Sequence, residues 1–86
     1  MKKALGVGIP GKGIIWRIED GQRVGVFAGK EGGWISGIVM TIDDTAERLV
    51  KVVTIEREDG AGVIVLGGVR AGDDRIRPAV VAEELN

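Results

Sequence analysis

No cysteine, histidine or tyrosine occurs in the sequence, and each absence removes a chemistry. Without cysteine there is no disulfide framework and no thiolate nucleophile or metal ligand. Without histidine the usual proton shuttle is missing, and a zinc site has lost both of its preferred ligand types. Aromatic residues are three, Trp16, Phe27 and Trp34, which leaves little for a stacking platform. Neither sign of charge dominates, twelve Lys and Arg standing against thirteen Asp and Glu, so the chain as a whole is not drawn to nucleic acid or to anionic membranes. No apolar run approaches the roughly 20 residues that cross a bilayer. Only six weakly apolar residues, Ala4 to Ile9, lie between Lys3 and Pro10, against the about 7–15 of a secretory signal. The expected location is therefore cytoplasmic.

What is present is a β-former composition. Of the 86 residues, 44% are apolar and 29% charged, the balance of a single globular domain. A chain this short buries only about 60–65% of its unfolded surface, so it is marginal on its own. Two Asp-Gly pairs, Asp20-Gly21 and Asp59-Gly60, stand between segments rich in valine and isoleucine. Such pairs supply the left-handed backbone of a hairpin turn.

Along the chain, residues 1–13 are glycine-rich and contain Pro10, which predicts a glycine-rich N-terminal arm, mobile or draped over a β-barrel domain spanning 14–82. Ile14, Trp16 and Ile18 alternate with other residues up to Asp20-Gly21, and Arg23 to Ala28 returns, predicting a first hairpin. The glycines of Gly29-Lys30-Glu31-Gly32-Gly33 then break the pattern. A long strand follows from Trp34, with Trp34, Ile38, Met40 and Ile42 on one face by the period of two. Asp44 or Thr45 with Glu47 carries a helix-start signal, but the β-branched run from Leu49 to Ile55 favours a strand. The second Asp-Gly turn joins it to a strand over 62–66. Gly67-Gly68 and Ala71 to Asp74 read as loop, Arg75 to Val81 as a last strand, an edge where Pro78 interrupts it, and 83–86 as a C-terminal tail.

The strands around Val50–Val53 and Val63–Leu66 are apolar on both sides. A single barrel layer buries one side only, so the second needs another layer or another subunit. The predicted fold is all-β: a small, strongly bent antiparallel barrel of about five to six strands, Sm-like or SH3-like, closing its remaining apolar surface by self-association.

Two glycine patterns match nucleotide-binding spacings. Gly6, Gly8 and Gly11 have the spacing of a dinucleotide fingerprint, and Gly6 to Lys12 that of a phosphate loop in which Gly13 replaces the hydroxyl residue. Both chemistries need a preceding strand and a following helix, and the sequence offers neither. The pairs Asp43-Asp44 and Asp73-Asp74 read as turn formers, since a calcium site needs about six oxygens. No catalytic residue, metal or cofactor is expected, and the chain reads as a non-enzyme. The basic residues point elsewhere. Arg70, Arg75 and Arg77 surround one loop and Lys30 sits in another, a pattern that either contacts nucleic-acid phosphates or solubilises a rim beside Asp73 and Asp74.

Ile35-Ser36-Gly37, Asp43 six residues after that glycine, the strand Leu49 to Glu56, and Val63-Ile64-Val65-Leu66-Gly67 together resemble the Sm/LSm family over about residues 23–81. Arg23 to Ala28 then corresponds to the first strand of the family and Arg75 to Val81 to the last. The resemblance implies a five-stranded bent barrel, edge-to-edge assembly into closed rings, and single-stranded RNA bound at loops, with Asp43 accepting a hydrogen bond from a base and Lys30, Arg70, Arg75 and Arg77 on phosphates. Two nucleotide-contacting positions of the family depart: its asparagine falls on Glu47 and its arginine on Leu66. Its N-terminal helix is absent, replaced by a hairpin and a glycine-rich arm. The alternative is a structural or protein-interaction scaffold subunit without a nucleic-acid role.

Overall fold

Residues 3–9 and 11–85 are described by the computed structural model, which places seven strands and two helices in two antiparallel sheets. Strand β1 (Ala4–Ile9) pairs with β2 (Gly13–Glu19) as a separate hairpin. Strands β3 (Arg23–Phe27), β4 (Trp34–Asp44), β5 (Lys51–Arg57), β6 (Val63–Val69) and β7 (Ile76–Pro78) form the larger sheet, in the order β6-β5-β4-β3-β7. A single helical turn, α1 (Gly29–Gly32), separates β3 from β4, and α2 (Ala79–Leu85) follows β7 directly.

The all-β class thus stands, with a different start and end. The segment expected to be a glycine-rich arm, mobile or draped, contains β1. Leu5 and Val7 point into the core, with Gly6 between them and Gly8 after, a period-two pattern that the low strand propensity of glycine conceals. The glycines are needed for close approach: a Cβ on Gly8 would lie 2.0 Å from the Gly13 carbonyl oxygen and one on Gly6 2.5 Å from Ile14. Gly6 and Gly8 lie within β1 and the chain returns as the strand β2, not as a helix; Pro10, part of the fingerprint spacing, lies outside the described residues.

Asp20-Gly21 is a turn but not a hairpin turn. Gln22 N–H donates to the Glu19 carbonyl at 3.1 Å and Gly21 N–H to that of Val39 at 2.8 Å, so the chain passes from the small sheet to the large one and is fastened to β4 there. Asp59-Gly60 does close a hairpin, β5 to β6, with Gly60 at φ 77° and Arg57 N–H bonded to the Gly62 carbonyl at 2.9 Å.

The core lies between the hairpin, through Leu5, Val7 and Ile18, and one face of the large sheet, through Val24, Val26, Val39, Ile42, Val53, Ile55, Val69 and Ile76. Two irregularities set that face. Met40 is an extra residue in β4, because Val39 opposes Ile55 and Thr41 opposes Thr54. It rotates the strand so that Val39 and Ile42 both enter the core while Ile38 and Met40 face outward, which corrects the single face expected for Trp34, Ile38, Met40 and Ile42. In β6 the glycines Gly67-Gly68, expected to be loop, stay within the strand. Lys51 opposes Val69 and Val53 opposes Leu66, so one extra residue is absorbed here, with Gly68 at φ 63°, and Val69 is thereby fully buried.

The last strand is only three residues long. From Ala79 the chain is helical, where strand was expected to Val81, and residues 83–85 of the expected tail continue α2; Asn86 lies outside the described residues. Ala79 and Ala82, one helical turn apart, are buried. They seat α2 on the other face of the large sheet, where a Cβ on Gly25 would lie 2.2 Å from that of Ala82. Among the described residues no helix is long and apolar enough to cross a membrane.

Candidate functional site

The loop before β7 and that strand itself carry three of the five residues singled out above. Asp73 is the hub, its side chain 11% exposed. Arg75 Nη2 donates to Asp73 Oδ2 at 2.8 Å and Nε to Oδ1 at 3.1 Å, and the Arg75 backbone N–H reaches Oδ1 at 2.8 Å. Burial pushes this carboxyl up, but the hydrogen bonds from Arg75 and the charges of Arg75 and Arg77 outweigh it and hold the group below the ordinary carboxylate range. Arg75 also donates to the Gly67 carbonyl at 3.1 Å, joining this loop to β6.

Arg77 is buried, 6% exposed. Its guanidinium lies 5.0 Å from the Trp16 ring centre and 5.7 Å from that of Trp34, a cation held by two π faces, and Nη1 donates to the Ile76 carbonyl at 3.1 Å. Two of the three aromatics thus serve to hold a charge inside the protein. Arg70 faces solvent, 67% exposed, 3.5 Å from Glu47, beside a groove of about 350 Å³ lined by Thr45, Glu47, Val50 and Gly68.

Asp43 stands at the end of β4, exposed, and accepts a hydrogen bond from Thr41 Oγ1 at 2.9 Å. Its neighbour Asp44 pairs with Lys51 and, at 3.8 Å, with Lys3; hydrogen bonding and charge from Lys51, then Lys3, lower its pKa. Lys30 lies in α1, before the start of β4, at the far end of that strand from Asp43. The five residues therefore occupy three places: Arg70, Arg75 and Arg77 around Asp73, Asp43 at one end of β4, Lys30 near the other. Among the described residues no group of three acidic side chains is placed to hold a metal.

A second feature had only an indirect signal in the sequence. β6 is the outermost strand of the large sheet. Val63 and Val65 are 54% and 61% exposed, and on the same outward face stand Ile38 and Met40, at 41% and 47%. The two-sided apolar pattern of Val63–Leu66 announces such a surface, but which strand is the outermost depends on pairing between distant segments. Comparison with protein-family models, with curated proteins and with solved structures finds no significant match to this chain.

Proposed function

We propose that the chain is a small self-associating β module that works as a binding or scaffold subunit. One observation carries this reading: the outermost strand β6 is apolar, largely exposed and open to pairing, whereas the arginines suited to a ligand are mostly engaged within the chain. A sheet edge of that kind is a pairing template unless another chain covers it. The adjacency of β3 and β7, first and last strands of the stretch that resembles Sm/LSm proteins, supports a sheet bent toward a barrel of that type. The β1–β2 hairpin then takes the place of the family's N-terminal helix.

A second reading, single-stranded RNA bound to the assembled module, draws on the exposure of Lys30 and Arg70. In it these two contact phosphates and Asp43 a base edge, while Arg75 and Arg77 order the loop from which they were expected to reach phosphates. Native mass spectrometry of protein purified without nuclease, with an ultraviolet spectrum, tests both. A homo-multimer free of nucleic acid is the expected result. Co-purifying nucleic acid, lost on Arg70→Glu and weakened by salt, would favour the RNA reading. A monomer at every concentration would overturn self-association.

A further inference from the structure

From the backbone of β6 we infer that its open edge is a two-fold interface for a second copy of this chain, in the register that places Ile64 on the symmetry axis. This rests on the self-association proposed above and names its surface. Arg57 N–H donates to the Gly62 carbonyl, so 57 and 62 form a hydrogen-bonded pair of the β5–β6 ladder. In an antiparallel ladder such pairs alternate. Ile64, opposite Ile55, therefore directs its backbone groups to β5, while Val63 and Val65, opposite Glu56 and Thr54, direct theirs away from the sheet. Among the described residues no other strand lies beyond them. Further along, the Gly67 carbonyl is taken by Arg75, which ends the open stretch.

An edge offering alternate N–H and C=O groups in regular register accepts an extended strand. Three observations make that strand a second β6. From Gly60 to Val69 there is neither a charge nor a proline, so self-pairing opposes no like charges and meets none of the usual edge guards. The other border of the large sheet is guarded: β7 is three residues long, ends in Pro78 and runs straight into α2, and beside it β1 is fastened to Asp73 through Gly8 N–H at 3.0 Å. Finally, the Ile64 register sets Val63 of each copy opposite Val65 of the other. The four outward-pointing groups of each copy then form four hydrogen bonds across the axis, and the Arg75–Gly67 bond is left intact. An axis through Val65 would instead set Val63 opposite Gly67, whose carbonyl is occupied. The outward valines meet in cross-strand pairs, and the two large sheets become one continuous sheet. An isologous contact of this kind closes at two copies; being narrow, it belongs to the weak, concentration-dependent class.

Because the chain has no cysteine, Ile64→Cys introduces a single thiol. In the proposed register the two thiols face each other across a non-hydrogen-bonded pair, with Cβ atoms about 4.5–5.5 Å apart, close enough for a disulfide after a small shift. The experiment compares disulfide formation under mild oxidation in Ile64→Cys and in Val80→Cys, a residue 69% exposed on α2. It adds sedimentation of the wild type and of Val65→Lys from about 1 to about 500 µM. Val65→Lys alters an exposed side chain and keeps the question open should Ile64→Cys fail to fold. The expected result is a covalent dimer for Ile64→Cys but not for Val80→Cys, and a dimer dissociation constant at least about tenfold higher in Val65→Lys. A wild type that associates, with Val65→Lys unaffected and no Ile64→Cys dimer, overturns the β6 interface and leaves self-association standing. A wild type monomeric throughout, with no Ile64→Cys dimer, overturns both.

Discussion

Leu49 is the described non-glycine residue with a positive φ, 67°, and it is 72% exposed. It sits in the turn between β4 and β5, which Thr45 holds: its hydroxyl accepts the Glu47 N–H at 3.1 Å and donates to the Val50 carbonyl at 3.0 Å. A leucine in the left-handed region is strained by its Cβ, and here no burial offsets the strain. Leu49→Asn keeps the turn with a residue that tolerates this backbone. Its expected effect is a gain of about 0.5–1 kcal/mol in urea unfolding, on the scale of left-handed strain; a loss would mean that the leucine packs in solution. The sequence reads Leu49 as the first residue of a strand because its neighbours are β-branched. Nothing in the local pattern shows that the turn must be paid for at that position. Arg77 is a similar case. Its place beside Arg75 is visible in the sequence, but its enclosure by Trp16 and Trp34 depends on residues from three strands meeting.

At the scale of elements, what was legible is what depends on neighbours in sequence. Asp59-Gly60 joins β5 to β6 as a hairpin because the turn chemistry and both strands lie within one short segment. Asp20-Gly21 has the same chemistry but a different outcome, since the Gly21 N–H goes to Val39, a partner no local pattern names. The sequence pattern predicts strand from Arg75 to Val81, yet the chain is helical from Ala79, with Val80 exposed and the seating done by Ala79 and Ala82. Tertiary contact overrides strand propensity here. That seating predicts that Gly25→Ala, whose Cβ would meet the Ala82 Cβ at 2.2 Å, destabilises by about 1–3 kcal/mol. Adding Ala82→Gly should return part of the loss in a double-mutant cycle, measured by urea unfolding. Strictly additive losses would show that α2 does not rest on β3 there. The open β6 edge was half legible: the two-sided apolar run predicts an unburied surface, while its position at the border follows from the order of the whole sheet.

For the whole molecule the pH response follows from Asp73. Its carboxyl lies below its ordinary value in the native state, so as pH falls through about 3.9 the unfolded chain takes up a proton first. In that window the unfolded state binds more protons and acid destabilises the fold; the contribution is fully present above the unfolded value and lost as pH drops through the lowered native one. Asp73→Asn should leave a shallower fall of unfolding free energy below about pH 4 than the wild type shows; an unchanged slope would mean that the Arg75 pair does not persist in solution. Asp44 and Asp59, also lowered by their basic partners, act in the same direction from exposed positions. The Asp73 loop has one more consequence. Val7 bridges to Asp73 across most of the chain, whereas β3 with β4, β4 with β5 and β5 with β6 are pairs of strands successive in sequence. Closing the long circuit costs more chain entropy than closing any of the successive hairpins. The four-strand meander is therefore expected to form first, with the first strand docking against the loop before the last as the later step that ties distant parts of the polypeptide together.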